Sequence, residues 1–178
     1  MGTSDQKQKV SLFRIVFSFL LFPIMVVIVI PCLLSLNAHQ LFTQNIFRFP
    51  AQKLAAGFLV SSGLTLLVIT NIAFIRIGNG TLAPWDPPKN LVVSGPYKYV
   101  CQPMIIGVLL ILFGEIFLFG SQGSIAWFTF YLIANLIYPP LSEEKALIKR
   151  FGDAFREYQK NVPAWIPRCK PWIPPKEK

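Results

Sequence analysis

Apolar positions in this chain fall in long unbroken blocks rather than alternating or following one helical face. Leu12–Leu36 and Leu54–Ile77 are each long enough to cross a bilayer core, which takes roughly 20 helical residues. Ile105–Phe119 and Ile125–Leu141 are shorter, and the polar turn Gly120–Ser124 joins them as a helical hairpin. The pattern predicts an all-α polytopic membrane protein with about four transmembrane helices. Pro23 and Pro31 fall inside the first block and predict a bend, provided neighbours satisfy the freed carbonyls. That block is too long for a signal sequence and lacks a small-x-small cleavage pattern, so it is taken as a helix.

A further element follows the last block. Pro139-Pro140 ends the fourth helix, and Ser142 is a natural N-cap with Glu143 and Glu144 in the first turn. Leu147, Ile148, Phe151, Phe155 and Tyr158 then recur at helical spacing, opposite Lys145, Lys149, Arg156 and Lys160. This predicts an amphipathic C-terminal helix lying on the membrane surface or on a loop. Gly152 weakens it and Pro163 stops it. Between the second and third blocks, "GNGTLAPWDPPKNLVVSGPYKYV" is too rich in proline and glycine to be one element. Pro84, Pro87 and Pro88 stiffen it, while Trp85, Leu91, Val92, Val93, Tyr97 and Tyr99 make it too apolar for a free linker.

Composition agrees with a membrane chain: 53% of the 178 residues are hydrophobic, 14% are charged, and mean hydropathy is +0.52. The net charge of +9 is uneven, with nine of the 17 Lys and Arg after Leu141 and none in the hairpin turn. Lys7, Lys9 and Arg14 lie before the first block, and Arg76, Lys89 and Lys98 between the second and third. The positive-inside rule therefore puts both termini and the loop Gly78–Gln102 in the cytosol, against the smaller pull of Arg48 and Lys53. The two cytosolic stretches, 78–102 and 142–178, thus share a face within one membrane domain. The basic residues serve orientation and anionic headgroups, not nucleic acid. Cys32, Cys101 and Cys169 are widely spaced and His39 is the sole histidine, which supports neither a disulfide framework nor a metal site.

Two stretches carry a resemblance. "LVVSGPYKYVCQPMIIG" and "EEKALIKRFGDAFREYQKNVPAWIPR", in this order around a short hairpin, resemble the integral-membrane methyltransferases that include isoprenylcysteine carboxyl methyltransferase and the phospholipid N-methyltransferases. The resemblance spans about half the chain, from Leu82 to Pro171. It implies methyl transfer from S-adenosylmethionine to a lipophilic acceptor, in the endoplasmic reticulum or a bacterial inner membrane. It also implies a cofactor site of Leu91, Val92, Gly95, Tyr97, Gln102, Pro103, Met104 and Glu143. Where relatives commonly read Arg-His-Pro, this chain reads Cys101-Gln102-Pro103. Gln102 keeps a hydrogen-bonding group without a proton-accepting role, and Cys101 removes a fixed positive charge.

The residues support such a site independently. Pro103 suits a first helical turn with Gln102 as cap, and that helix start offers N–H groups to a carboxylate. Gly95 lets backbone approach a ligand, Tyr97 supplies an aromatic wall, and Glu143 can accept from hydroxyls or an ammonium. Tyr97 and Tyr99 as interfacial anchors, Gln102 as a cap only, and Glu143 as a dipole-complementing charge are the plainer readings. Glu115, mid-way along the third block, should face protein or a cavity. It lines an acceptor path or is hydrogen-bonded between helices, with Asn135 a candidate neighbour. Two rival functions stay open at this point: a catalytically silent relative acting as a membrane scaffold, and an NADPH-dependent reductase of the sterol-reductase type.

Overall fold

The computed structural model describes residues 24–37, 50–78, 90–139 and 143–174. The start of the first apolar block with Pro23, together with His39, Arg48, Trp85, Pro84, Pro87, Pro88, Pro140 and Ser142, lies outside the described residues. Within them the chain is helical and no strand occurs. A π-helical turn Met25–Val29 leads into α1, Ile30–Asn37. Then come α2, Pro50–Gly78, a 3-10 turn Gly95–Lys98, α3, Pro103–Phe119, and α4, Gln122–Tyr138. The tail holds α5, Glu144–Phe151, and α6, Asp153–Asn161.

Among the described residues one helix, α2, is long and apolar enough to cross a membrane by itself. Its 29 residues reach about 43 Å at 1.5 Å per residue, more than a hydrocarbon core of about 30 Å. Met25–Leu34 and Pro103–Phe119 are shorter apolar helices. The 17 residues of α3 reach only about 25 Å, so a full crossing needs the adjoining segments or a locally thinner bilayer.

α2 and α3 form the central seam. They run antiparallel, with Val60 facing Gly114, Gly63 facing Gly107 and Ile111, and Leu67 facing Gly107. Glycine is required by space here. A Cβ on Gly63 would sit 2.6 Å from the Gly107 carbonyl oxygen, and one on Gly114 would sit 2.8 Å from Cγ2 of Val60. Close backbone approach through small residues replaces the hydrophobic drive that lipid removes. Val26, Val27, Leu67, Val108, Ile111 and Leu112 make the core beside this seam, with Met104, Trp127, Phe128 and Tyr131 packed on it.

Just before Pro31, where the sequence predicts a bend, the helix takes a π-helical turn. In the π-turn, the Ile30 N–H bonds back to the Met25 carbonyl, five residues earlier. The next donor in that register would be residue 31, which is proline and has no N–H. The Val26 carbonyl left over accepts instead from Trp127 Nε1–H of α4, at 3.0 Å. A side chain from a neighbouring helix thus repairs the break, as the membrane interior demands.

The hairpin closes as the sequence predicts. Gly120 takes the left-handed conformation (φ 57°, ψ 23°) and bonds back to the Ile116 carbonyl at 2.8 Å. Ser121 then caps α4, its Oγ accepting from the Ser124 N–H at 3.1 Å. α4 ends at Tyr138 with Pro139 as C-cap. The amphipathic stretch is two helices, because Gly152 (φ 57°) breaks it.

Candidate cofactor site

The approach to α3 is shaped by local signals. Asn90 folds the loop back onto the end of α2, its Nδ2–H donating to the Ile77 carbonyl at 3.1 Å. Gly95 opens the 3-10 turn at φ 55°, a left-handed value that favours glycine. A Cβ there would touch nothing within 4 Å, so the backbone angle and not crowding calls for glycine. The turn closes through Tyr97 N–H to Ser94 O (3.1 Å) and Tyr99 N–H to Pro96 O (3.0 Å). Tyr97 is buried, and burial pushes its hydroxyl well above the usual tyrosine range. Gln102 stands at the N-cap of α3 without a side-chain cap bond, and Pro103 opens the helix.

The tail lies along this approach. Cys101 N–H donates to Pro163 O at 2.9 Å and Gln102 N–H to Ala164 O at 3.3 Å. Farther along, Arg168 N–H reaches Tyr99 O at 3.0 Å and Trp172 N–H reaches Lys98 O at 2.9 Å. Two side chains lock the pairing: Tyr158 OH donates to Tyr97 O at 2.7 Å, and Cys101 Sγ–H to Val162 O at 3.1 Å. Phe155, Tyr158 and Val162 form a small core of their own, covered by Leu91, Val93, Cys101, Leu147, Ile148, Phe151 and Trp172. The amphipathic helices therefore turn their apolar face to the loop.

Electrostatics reinforces the clasp. Burial pushes the Cys101 thiol up to about 11, with the neighbouring Tyr158 hydroxyl opposing the rise and the Glu144 carboxylate adding to it. The thiol is a protonated donor at neutral pH, not a nucleophile. Burial likewise pushes Tyr158 upward, keeping its hydroxyl proton on the bond to Tyr97. The Arg156–Asp153 ion pair, 3.5 Å and exposed, has little weight.

The predicted residues distribute as follows. Leu91 flanks the tail core, Val92 is buried, and Gly95, Tyr97, Gln102 and Pro103 follow along the same approach. Met104 instead packs against the core between the apolar helices. Glu143 is the N-cap of α5, and burial of its carboxyl pushes it above the ordinary range. It lies within Coulombic reach of Tyr131 on α4, and the tail residue that grips Tyr97 is Tyr158. Glu115 is buried on α3, 9% exposed, and its Oε2 has no hydrogen-bond partner. Asn135 donates to the Tyr131 carbonyl on its own helix at 2.8 Å.

Two residues emerge that the sequence reading passed over. Tyr131 of α4 accepts from Asn135 through its carbonyl and lies within Coulombic reach of Glu143. Asn71 has a buried Oδ1 without a partner. It lies one turn beyond Leu67, and Pro103 lies one turn before Gly107, so the seam places Asn71 level with the start of α3. A buried lone acceptor calls for a donor. The signal was present: a polar residue in an apolar helix.

Asn71 Oδ1 and Glu143 are acceptors, and the first turn of α3 supplies donors. The family model for phospholipid methyltransferases matches residues 53–154, more than half of the chain. The chain belongs to that family. The match runs from the first turn of α2 into α6 and stops just short of Phe155 and Tyr158. A curated methyltransferase, the protein-S-isoprenylcysteine O-methyltransferase of Schizosaccharomyces pombe, is 29% identical over 153 residues, covering 80% of this chain. The chain spans only 65% of that relative's length. No solved structure matches. The apolar span of α2 is in keeping with that membership.

Proposed function

We propose that the protein transfers a methyl group from S-adenosylmethionine to a lipophilic acceptor at the cytosolic membrane face. The observation that carries this reading is the clasp between the approach and the tail, centred on Tyr158 OH and Tyr97 O at 2.7 Å. It builds one wall from two segments that the sequence resemblance independently singles out. In this reading four helices cross the bilayer, both termini are cytosolic, and the whole chain is one domain.

The residues divide the work. The first turn of α3 behind Gln102 and Pro103 holds a carboxylate, while Asn71 Oδ1 and Glu143 receive an ammonium or ribose hydroxyls. Gly95 admits backbone contact; Leu91, Val92, Tyr97 and Met104 supply apolar and aromatic surface. When bound, the cofactor supplies a methyl group already activated on a cationic sulfur. The chain must orient the acceptor and exclude water, and orientation alone is worth roughly 7–11 kcal/mol. Gln102 does not act as a base. An acceptor that is already nucleophilic, such as the carboxylate of an isoprenylcysteine, suits this lack of bases better than a protonated amine.

The Cys101-Gln102 departure is compatible with activity, because Cys101 has a structural bond to Val162 O of its own. The deciding experiment is transfer of label from S-adenosylmethionine in nanodiscs, with an isoprenylcysteine and phosphatidylethanolamine as alternative acceptors. Labelled ester or labelled lipid amine supports the reading and names the acceptor. No transfer to either acceptor or to a total lipid extract, together with no cofactor binding, leaves the scaffold alternative in its place.

A further inference from the structure

The last described stretch, residues 163–174, forms no helix yet holds two large apolar side chains in the open. Ile166 is 78% and Ile173 72% exposed, and Ile166 is the most exposed large hydrophobic residue among those described. The amphipathic helices before it differ, because their apolar face is turned to the loop in the core around Phe155 and Tyr158. Two isoleucines left bare on an otherwise committed tail call for a cover of their own.

Depth decides what that cover is. Pro167, next to Ile166, borders the same recess as Leu66 of α2 and Ile106 of α3. Leu66 lies 12 residues inside the Gly78 end of α2, about 18 Å at 1.5 Å per residue. The whole of α2 exceeds a hydrocarbon core by only about 13 Å. Even with all of that surplus on this side, Leu66 is about 5 Å inside the hydrocarbon, and Pro167 borders the recess it lines. Elements that lie in the interface bury their apolar side chains about 5–10 Å deep, which is the same level.

The main chain is suited to that level. Irregular backbone is costly beside lipid, where water does not satisfy its polar groups. Pro163, Pro167, Pro171 and Pro174 have no N–H, and Arg168 and Trp172 donate theirs to Tyr99 O and Lys98 O at 3.0 and 2.9 Å. Half of the stretch thus presents no free donor. Charge then names the headgroup: 163–174 holds Arg168 and Lys170 and no carboxylate. Exposed Lys170 can run its stem along acyl chains and set its ammonium among phosphates.

The geometry points to residues 163–174 as a wedge set into the bilayer leaflet on the side of the approach, with Ile166 and Ile173 among acyl chains and Lys170 on anionic headgroups. The partner is the lipid surface itself. This rests on α2 crossing the bilayer and not on methyl transfer.

The test uses the full chain in nanodiscs of phosphatidylcholine and phosphatidylglycerol. A nitroxide is placed at Ile166→Cys or Ile173→Cys in a Cys32→Ser, Cys169→Ser background, and the background protein corrects for any label on Cys101. Oxygen, which concentrates among acyl chains, is compared with a water-soluble nickel chelate as relaxing agent. Oxygen should be favoured about threefold or more at both positions, as at Val68→Cys on the exposed side of α2, while Asp153→Cys on α6 shows the reverse. Preference for nickel at both isoleucine positions, with Val68→Cys still in lipid, overturns the wedge and leaves the spanning helix intact. Little access for either agent means that another segment or a second copy covers the isoleucines, and overturns it equally. Water at Val68→Cys removes the spanning helix, and the wedge falls with it. Discs of phosphatidylcholine alone, or Lys170→Gln, should each lower the oxygen preference at Ile166→Cys about twofold. No change from either one overturns the assignment of Lys170 to anionic headgroups.

Discussion

The hydroxyl of Tyr158 donates a 2.7 Å hydrogen bond to the carbonyl of Tyr97, joining residues that are 61 positions apart in sequence. Both side chains are buried, at 3% and 8% exposure, so little water is available to replace the bond. Tyr158→Phe leaves the Tyr97 carbonyl without its donor and should cost about 1–3 kcal/mol. Thermal unfolding in a fixed detergent measures that loss, and cofactor affinity should weaken with it. An unchanged melting temperature and affinity would mean the clasp is incidental.

A second test concerns the repaired break before α1. Trp127→Phe keeps the ring packing but orphans the Val26 carbonyl, at a cost of about 1–2 kcal/mol. Pro31→Ala restores the missing N–H donor, so Trp127→Phe should cost less in the Pro31→Ala background. The double-mutant cycle reads this as a coupling energy. Strict additivity would show that the indole does not serve the carbonyl left by the proline.

The glycines separate two mechanisms. Gly95→Ala meets no atom but must hold φ near 55°, a penalty of about 1–2 kcal/mol, and Gly95→Asn should lose less. Gly107→Leu instead drives a side chain into Leu67, whose Cγ lies 3.0 Å from the Cβ position. It should prevent assembly of the α2–α3 seam outright. Equal stability losses for Gly95→Asn and Gly107→Leu would contradict this division.

Cys101 gives a pH prediction. Its folded thiol titrates near 11 against an ordinary value of 9.0, so between these the folded protein holds a proton that the unfolded chain releases. This contribution is complete below about pH 9 and is lost as pH rises toward 11. Cys101→Ala should flatten that part of the stability profile relative to wild type. At pH 8, maleimide should modify exposed Cys169 well before Cys101. Rapid labelling of Cys101 would contradict its place in the clasp.

The sequence reading succeeded where a local signal exists. α2 was expected over Leu54–Ile77 and spans Pro50–Gly78; α3 was expected from Ile105 and begins at Pro103. α4, expected over Ile125–Leu141, runs from Gln122 to Tyr138, since Ser121 caps it early and Pro139 stops it. The break at Gly152 was legible because glycine is costly inside a helix. Trp127 with Val26, or Arg168 with Tyr99, left no comparable trace. Such bonds join segments remote in sequence, and a backbone donor looks alike at every residue. Tyr131 and Asn71 were overlooked because an isolated polar residue in an apolar helix does not disturb the period that identifies the helix. The two stretches were legible as a pair; the residues binding them, Tyr158 and Cys101, required coordinates.

The most direct measurement is calorimetric titration of the purified chain, in a detergent that preserves its melting transition, with S-adenosylhomocysteine and with NADPH. One-to-one binding of the sulfur nucleotide, weakened in Glu143→Ala and Asn71→Ala, with no heat from NADPH, is the expected result. Binding of NADPH alone, or of neither compound by protein that still unfolds cooperatively, would contradict a cofactor site built where the approach to α3 meets the tail.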